Sequence, residues 1–212
     1  MKLVLNLVSI IIVCSLCYVS NVDAFGLGVT STIGTGTAKH TYESNTYNGI
    51  DTEYKYDTSR ASIGIVMDTN LSKDKLFNYR LGMVYESEEF DRSGFKYQAK
   101  GGSIENDFGF GIIRNDLIRL WVGPELRLTY LEKKWDNNST TSLFEFGLGP
   151  VVGVNFNLGP VVTISAKTGY IFNGTGGIRS NNASNSYNDT DIKGSGNYPI
   201  FNLSLLFRIG EK

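Results

Sequence analysis

The feature that most constrains this fold is a strict alternation, in several long segments, between apolar side chains and a set rich in glycine. Between residues 143 and 157 the apolar face is continuous: Phe144, Phe146, Leu148, Pro150, Val152, Val154 and Phe156. A period of two is typical of β-strands, because successive side chains point to opposite faces. Glycine supports an exposed strand poorly, but it suits the inside of a narrow barrel, where it leaves room for a few large residues. The apolar set then faces lipid, which indicates a transmembrane β-barrel.

A secretory signal peptide is predicted over residues 1–24. An apolar run follows Lys2, and the segment ends in a signal-peptidase site at Ala24. Both cysteines of the chain lie inside this segment, so we expect the mature barrel, residues 25–212, to form no disulfide. Removing the segment takes away one lysine and one aspartate, which leaves the net charge at −1. A chain without basic surplus does not favour a nucleic-acid partner.

Eight segments share the alternation and are predicted to be strands: residues 25–38, 56–68, 77–89, 98–113, 118–131, 141–157, 161–172 and 198–209. Each has at least the roughly 9–11 residues that a tilted strand needs to cross a bilayer. None of the outward rows carries a charge, and long and short connections alternate, as expected when one set of turns is periplasmic. The sequence therefore predicts an all-β, eight-stranded, antiparallel, up-and-down transmembrane barrel with both termini in the periplasm.

Three of the longer connections have features of their own. The pair Asn48-Gly49 is typical of a type I′ hairpin turn, and residues 90–95 are interpreted as a four-residue turn flanked by aromatic residues. Residues 173–197 are dense in glycine, asparagine and serine, so we expect a mobile loop there.

The expected mature chain resembles the small eight-stranded outer-membrane barrels of the OmpA/OmpX type. A similar final strand closes those barrels, and here its residues are Leu205, Leu206, Phe207, Arg208, Ile209 and Gly210. Many members end on the aromatic residue, whereas this chain continues with Glu211 and Lys212. The resemblance implies a location in the cell outer membrane and a lumen filled by ion pairs. We expect membrane lipid, lipopolysaccharide and the barrel-assembly machinery as partners.

The rows that alternate with the apolar ones carry charges, and seven of these fall at a similar middle height: Arg60, Glu86, Glu105, Asp107, Glu125, Arg127 and Lys167. Eight strands enclose an interior that side chains just fill. Because an unpaired buried ion is strongly unfavourable, we expect these charges to form a salt-bridged structural plug. An ion path through the lumen is the alternative interpretation.

No catalytic, cofactor or metal site is predicted, and the chain is not expected to be an enzyme. Its only histidine, His40, stands at the start of the first outer loop and is interpreted as a solvated residue. The His-x-Ser pair of lipid A deacylases is absent from the sequence. The group Glu86, Glu88, Glu89 and Asp91 is interpreted as an exposed acidic hairpin.

The outer loops are the polar surface that remains accessible, and their aromatic residues Tyr47, Phe95, Tyr97 and Trp135 are the candidate anchors for a partner. This favours an outer-membrane protein that binds a host or surface ligand, or one that supports the envelope. A narrow ion-conducting pore and a lipid A-modifying enzyme are the alternatives.

Overall fold

The computed structural model describes residues 25–43, 51–69, 71, 75–136, 139–181 and 190–209. They form eight strands: β1 (Phe25–Glu43), β2 (Thr52–Asp68), β3 (Phe77–Arg92), β4 (Phe95–Arg114), β5 (Ile118–Lys134), β6 (Ser139–Leu158), β7 (Val162–Asn181) and β8 (Thr190–Ile209). Each strand pairs antiparallel with the next, and β8 pairs with β1, so the sheet closes. The predicted eight-stranded, up-and-down transmembrane barrel is confirmed. The expected signal peptide lies outside the described residues, among which no helix is long and apolar enough to cross a membrane.

An apolar belt surrounds the part of the barrel nearer to Phe25 and Ile209, which we call the terminal end; the opposite end is the distal end. The belt consists of exposed apolar side chains on the outer wall, among them Leu27, Val29, Ile33, Ile63, Ile65, Met83, Tyr85, Phe110, Val122, Phe146, Leu148, Phe172, Phe201, Leu203 and Phe207. A soluble protein rarely exposes so large a continuous apolar surface, whereas a barrel in lipid requires one.

One polar side chain of β4, Asn106, belongs by alternation to the outer wall inside this belt. Tyr79 of β3 covers it and donates its hydroxyl hydrogen to Asn106 Oδ1 at 2.6 Å, and both side chains are buried. The Tyr79 ring packs in turn against Phe108, with 5.4 Å between the centroids. The pair therefore withholds the amide oxygen from lipid, where an unsatisfied polar group is costly.

Beyond the belt the strands continue toward the distal end, and we call this part the extension. The strands contain between 16 and 20 residues, whereas about 9–11 cross a bilayer. At about 3.3 Å per residue and a tilt near 40°, a surplus of about eight residues raises the extension roughly 20 Å above the belt. The extension is thus a rigid continuation of the sheet.

The interpretation of residues 173–197 as a mobile loop is wrong for residues 173–181 and 190–197, which belong to strands, while residues 182–189 lie outside the described residues. Strand β7 continues to Asn181 and β8 begins at Thr190, with backbone pairs such as Asn173 with Gly196. Outside lipid, the outward side chains have no need to be apolar, so the alternation that marks a strand disappears while the hydrogen-bonded ladder continues.

The turn between β3 and β4 is shorter than predicted. Arg92 pairs directly with Phe95, so the turn contains only Ser93 and Gly94. Their φ angles of 49° and 88° are both positive, as a type I′ turn requires. The predicted turn at Asn48-Gly49 lies outside the described residues.

Glycines on the inner wall make room for large side chains, as predicted. The indole of Trp121, which is fully buried, lies against Gly153, where a Cβ atom would overlap it. A glycine also permits close approach of two strands at Gly149, where a Cβ atom would overlap the carbonyl oxygen of Tyr170 on β7.

Candidate functional site

The lumen is filled along its length, with apolar layers at both ends and charges between them. Near the terminal end, Val66, Leu71 and Leu206 pack together. A second apolar cluster lies beside the charges and contains Trp121, Val151, Ile171, Tyr198 and Ile200. The distal aromatic core closes the opposite end and contains Ala38, Tyr56, Phe90, Tyr97, Ala99, Leu131, Leu143 and Ile192. The described side chains therefore leave the charges enclosed from both sides.

The charges nearer the terminal end form one balanced group, which we call the Lys167 cluster: Arg80, Glu105, Asp107, Glu125, Arg127 and Lys167. Lys167 Nζ lies 2.9 Å from Asp107 Oδ2 and 2.7 Å from Glu125 Oε2. Arg127 Nη2 lies 2.8 Å from Glu105 Oε1 and 2.9 Å from Glu125 Oε1. With three cations and three carboxylates, the cluster is neutral when all six groups are ionised.

Arg80 connects this group to the opposite wall. Its Nη1 donates to Ser165 Oγ at 2.7 Å and its Nη2 to Asn202 Oδ1 at 3.1 Å, while its Nε lies 3.8 Å from Asp107 Oδ2. Hydroxyl and amide partners on β7 and β8 thus satisfy the guanidinium donors that the carboxylates do not reach.

The charges nearer the distal end form a second group, which we call the Arg60 cluster: Arg60, Glu86, Glu88 and Glu145. Arg60 Nη1 lies 3.1 Å from Glu86 Oε1, and its Nη2 lies 2.7 Å from Glu88 Oε2 and 2.5 Å from Glu145 Oε2. The guanidinium also stacks on Tyr198, with 4.3 Å from Cζ to the ring centroid. One cation therefore faces three buried carboxyl groups.

All seven charged residues singled out in the sequence lie in the interior and within these two groups, joined by 3.9 Å between Arg127 Nη1 and Glu86 Oε2. Arg80 and Glu145, which the alternation also places on the inward rows, belong to these groups, and the structure adds Glu88. The interpretation of Glu86 and Glu88 as part of an exposed acidic hairpin is wrong, because both side chains are fully buried. Glu88 and Phe90 share one face of β3 with Glu86, which the alternation had already placed among the interior charges, so the same signal could have placed Glu88 and Phe90 inside.

The distal aromatic core overturns two further interpretations. His40 is fully buried, with its ring centroid 5.4 Å from those of Tyr56 and Phe90, and is not a solvated loop residue. Tyr97, a candidate surface anchor, is only 6% exposed and stacks on Phe90 at 4.8 Å. Both belong to the inward row of strands that rise above the belt. Burial lowers the pKa of His40 from its ordinary value, and the Glu145 carboxylate opposes this effect less strongly.

Two of the other candidate anchors, Phe95 and Trp135, lie together at the rim of the extension. With the nearby cations Lys133 and Arg179 they form what we call the rim patch. Phe95 is 58% exposed, and its ring lies parallel to that of Trp135 with centroids 6.3 Å apart. Lys133 Nζ and Arg179 Cζ lie 5.4 Å and 5.2 Å from the Trp135 ring. Tyr47 lies outside the described residues.

A cleft of about 700 Å³ opens where the belt meets the extension, beside β1, β2 and β8. Its lining includes Lys39, Lys55 and Phe172. Lys39 and Lys55 are directly opposite each other in the β1–β2 ladder, which is a repulsive arrangement for two like charges. Glu53 lies 2.6 Å from Lys39 and offsets part of this repulsion.

The chemistry available to these groups is pairing and recognition. Within the described residues, no group of three or more histidine, cysteine, aspartate or glutamate side chains could hold a metal ion. On the exposed hairpin, Lys96 Nζ lies 3.0 Å from Glu89 Oε1 and 3.2 Å from Asp91 Oδ2, and these hydrogen bonds raise the pKa of Lys96.

Comparison with known proteins finds likeness in structure alone. No family model matches the chain, and no curated protein sequence matches it. Among solved structures, the outer membrane protease OmpT from Escherichia coli has 8% identity and a TM-score of 0.43, covering 89% of this chain and 98% of its own. Ail from Yersinia pestis, solved with the heparin analogue sucrose octasulfate, has 15% identity and a TM-score of 0.38, covering 86% and 99%.

Neisserial surface protein A has 15% identity and a TM-score of 0.36, covering 81% of this chain and 95% of its own. Likeness at this level carries no argument about ligand or activity. The closed ring of eight strands and its apolar belt are properties of this chain itself.

Proposed function

We propose that this chain is an integral outer-membrane protein of a Gram-negative envelope that acts through contacts made by its extension. In this arrangement the distal end faces the cell exterior and both termini lie in the periplasm. The extension at the distal end supports this orientation, because such barrels have short turns on the periplasmic side and carry their longer connections on the outer side.

The observation that carries the proposal is the closure of the lumen below a rigid, exposed rim. Apolar layers at both ends enclose the charges, while Phe95 and the rest of the rim patch stand above the belt. A filled lumen offers no surface to a solute, so the outer wall and rim of the extension are the surfaces left for a partner.

The rim patch suits an anionic partner with an exposed apolar or sugar face. Two cations, Lys133 and Arg179, flank the ring of Trp135, whose Nε1 donates to Thr141 Oγ1 at 2.9 Å. Because that hydrogen bond and the stack with Phe95 already fix the ring, ordering it on binding costs little entropy. A host or surface ligand bound there would make the protein an adhesin; without one, an envelope-structural role remains.

Lipopolysaccharide is the proposed partner of the cleft beside β1 and β2. Phe172 marks the upper edge of the belt there, and Lys39 and Lys55 stand on the water side of it. A phosphate group between the two ammonium groups relieves their repulsion. The barrel-assembly machinery is a further proposed partner. The barrel closes only when β1 pairs with β8, and these two strands stand at opposite ends of the sheet in the sequence.

Neither alternative function gains support from the geometry. A narrow pore requires an open path, whereas the described lumen is enclosed at both ends. A lipid A-modifying enzyme with a histidine base requires an accessible imidazole, whereas His40 is buried against aromatic rings. Recording from planar bilayers should therefore show no steady conductance, and a stable, large channel would establish the pore instead.

The proposal is tested by removing the rim patch without disturbing the barrel. Cells displaying the Phe95→Ser, Arg179→Gln double variant should lose adhesion to host or abiotic surfaces. The variant barrel should still fold, as shown by gel migration that changes when the sample is heated. Ile178→Ser, which changes another exposed apolar residue of the extension, is the matched control. If the double variant leaves adhesion, serum survival and envelope integrity unchanged, the interaction role is excluded and the structural role replaces it.

A further inference from the structure

The buried charges of the lumen do not balance. Across the two clusters there are four cations, Arg60, Arg80, Arg127 and Lys167, and six carboxyl groups, Glu86, Glu88, Glu105, Asp107, Glu125 and Glu145. If all were ionised, two negative charges would be in excess. The Lys167 cluster is balanced, so the excess lies in the Arg60 cluster, where three carboxyl groups share one guanidinium.

No other described cation reaches the Arg60 cluster to remove this excess. His40 interacts electrostatically with Glu145 and Arg60, but burial lowers its pKa and so favours the neutral imidazole. Arg119, the remaining buried cation of the described residues, donates toward the terminal end, to the carbonyl oxygen of Leu76 at 3.2 Å. Arg92 and Arg179 stand over the rings of Tyr54 and Trp135 in the extension. Residues 44–50, 137–138 and 182–189, which lie outside the described residues, contain no lysine or arginine.

The three carboxyl groups differ in the donors that they receive. Glu145 Oε2 accepts from Arg60 Nη2 at 2.5 Å and from Asn173 Nδ2 at 3.2 Å. Glu86 accepts from Arg60 Nη1 at 3.1 Å and from Ser103 Oγ. Both therefore have the donors that stabilise a carboxylate.

Glu88 has a weaker set of donors than Glu86 and Glu145. Arg60 Nη2 lies 2.7 Å from its Oε2, but neither carboxyl oxygen of Glu88 has a hydrogen bond of acceptable geometry with the described residues. The titratable groups that face it are Glu86 on its own strand, Arg60 on β2, Tyr97 on β4 and Glu145 on β6. Two of these four are further carboxyl groups, and Tyr97 is a neutral phenol.

We infer that the Arg60 cluster is a buried proton-binding site in which Glu88 stays a neutral carboxylic acid at neutral pH. Carboxyl groups that share a buried site cannot all ionise, because each charge raises the cost of the next. A buried group without compensating charge takes up a proton instead of remaining ionised. With Glu88 neutral, one excess charge remains, and Glu86 has both Arg60 and Arg127 within 4 Å to offset it.

The sign of the resulting pH dependence follows from proton counts. A glutamate side chain in the unfolded chain loses its proton near pH 4.3. Above that pH the folded barrel holds one proton more than the unfolded chain, so stability falls as the pH rises. The equilibrium constant for unfolding should increase by up to about tenfold per pH unit until Glu88 ionises in the folded state.

The Glu88→Gln variant tests this inference, since glutamine mimics the neutral acid in shape and lacks its titration. In vesicles, the variant should match the wild type in stability at or below about pH 4.3, where Glu88 is protonated in both the folded and the unfolded chain, and exceed it increasingly as the pH rises. The infrared carbonyl band of a protonated carboxylic acid should be present in the wild type at neutral pH and absent from the variant. Glu125→Gln, which removes a paired carboxylate of the Lys167 cluster, should retain the band.

Three results would overturn the inference. One is the absence of the protonated-acid band from the wild type, a measurement that does not depend on any variant folding. Another is a loss of stability in Glu88→Gln at neutral pH as large as that in Glu125→Gln. The third is a midpoint of unfolding that rises with added sodium or calcium at constant ionic strength, which would assign the excess charge to a bound cation.

Discussion

Removing one charged partner from the Lys167 cluster should destabilise the barrel strongly. Removing one cation and one carboxylate together should lower the free energy of unfolding by less than the sum of the two single changes. Glu125 accepts from Lys167 Nζ at 2.7 Å and from Arg127 at 2.9 Å and 3.0 Å, so Glu125→Gln weakens three charge-assisted hydrogen bonds at once. Breaking a buried ion pair in this way costs about 3–5 kcal/mol. Lys167→Met should cost a similar amount, because it leaves Asp107 and Glu125 without their shared cation.

The double variant Glu125→Gln, Lys167→Met retains two cations and two carboxylates in the cluster, which is again neutral. Its cost should therefore fall below the sum of the single costs by about 1–3 kcal/mol, in the range of coupling energies between residues in contact. A double-mutant cycle measures the two single losses of unfolding free energy and the coupling between them. The unfolding by urea is carried out in vesicles and followed by the fluorescence of the buried Trp121.

The control is Glu132→Gln, on the extension. Lys134 Nζ lies 3.6 Å from Glu132 Oε1, and because Lys134 is exposed and Glu132 partly exposed, the change should cost less than about 1 kcal/mol. The reasoning is refuted if the single lumen variants cost no more than this control, or if their costs add in the double variant.

Three further predictions test the wall of the barrel. Leu203→Arg places a cation in the belt and should cost about 2–4 kcal/mol, measured as the loss of assembled protein and of unfolding free energy. Gly149→Ala should block assembly, because its Cβ atom would overlap the Tyr170 carbonyl oxygen, whereas Gly174→Ala, with no atom within 4 Å of the added carbon, should assemble normally on heat-modifiability gels. Tyr79→Phe should cost about 1–3 kcal/mol in urea unfolding, because it leaves the Asn106 amide oxygen unpaired; a neutral result would mean that lipid headgroups or water reach this amide.

The alternation of side chains predicted the barrel because lipid acts on every second residue of a membrane strand. The same signal faded in the extension, where water accepts glycine, serine and asparagine on the outer wall, so β7 and β8 extend beyond their predicted ends. For the site, the alternation placed the seven charged residues in the interior. It did not predict which of them pair with one another, because that depends on the shear of the barrel. Tyr97 was assigned to the surface because the fourth strand was predicted to begin only at residue 98, and Glu88 because it was grouped with its acidic neighbours in the sequence instead of being read by the alternation.

The ion pairs of the lumen join walls that are far apart in the sequence. Arg60 on β2 reaches Glu145 on β6, and Lys167 on β7 reaches Asp107 on β4. A sheet that has not yet closed cannot form these contacts, so its charged face must stay in water or carry unpaired ions into lipid. The seam between β1 and β8 and the pairing across the lumen must therefore be completed together, which makes insertion of this barrel an all-or-none event without a stable half-built form in the bilayer.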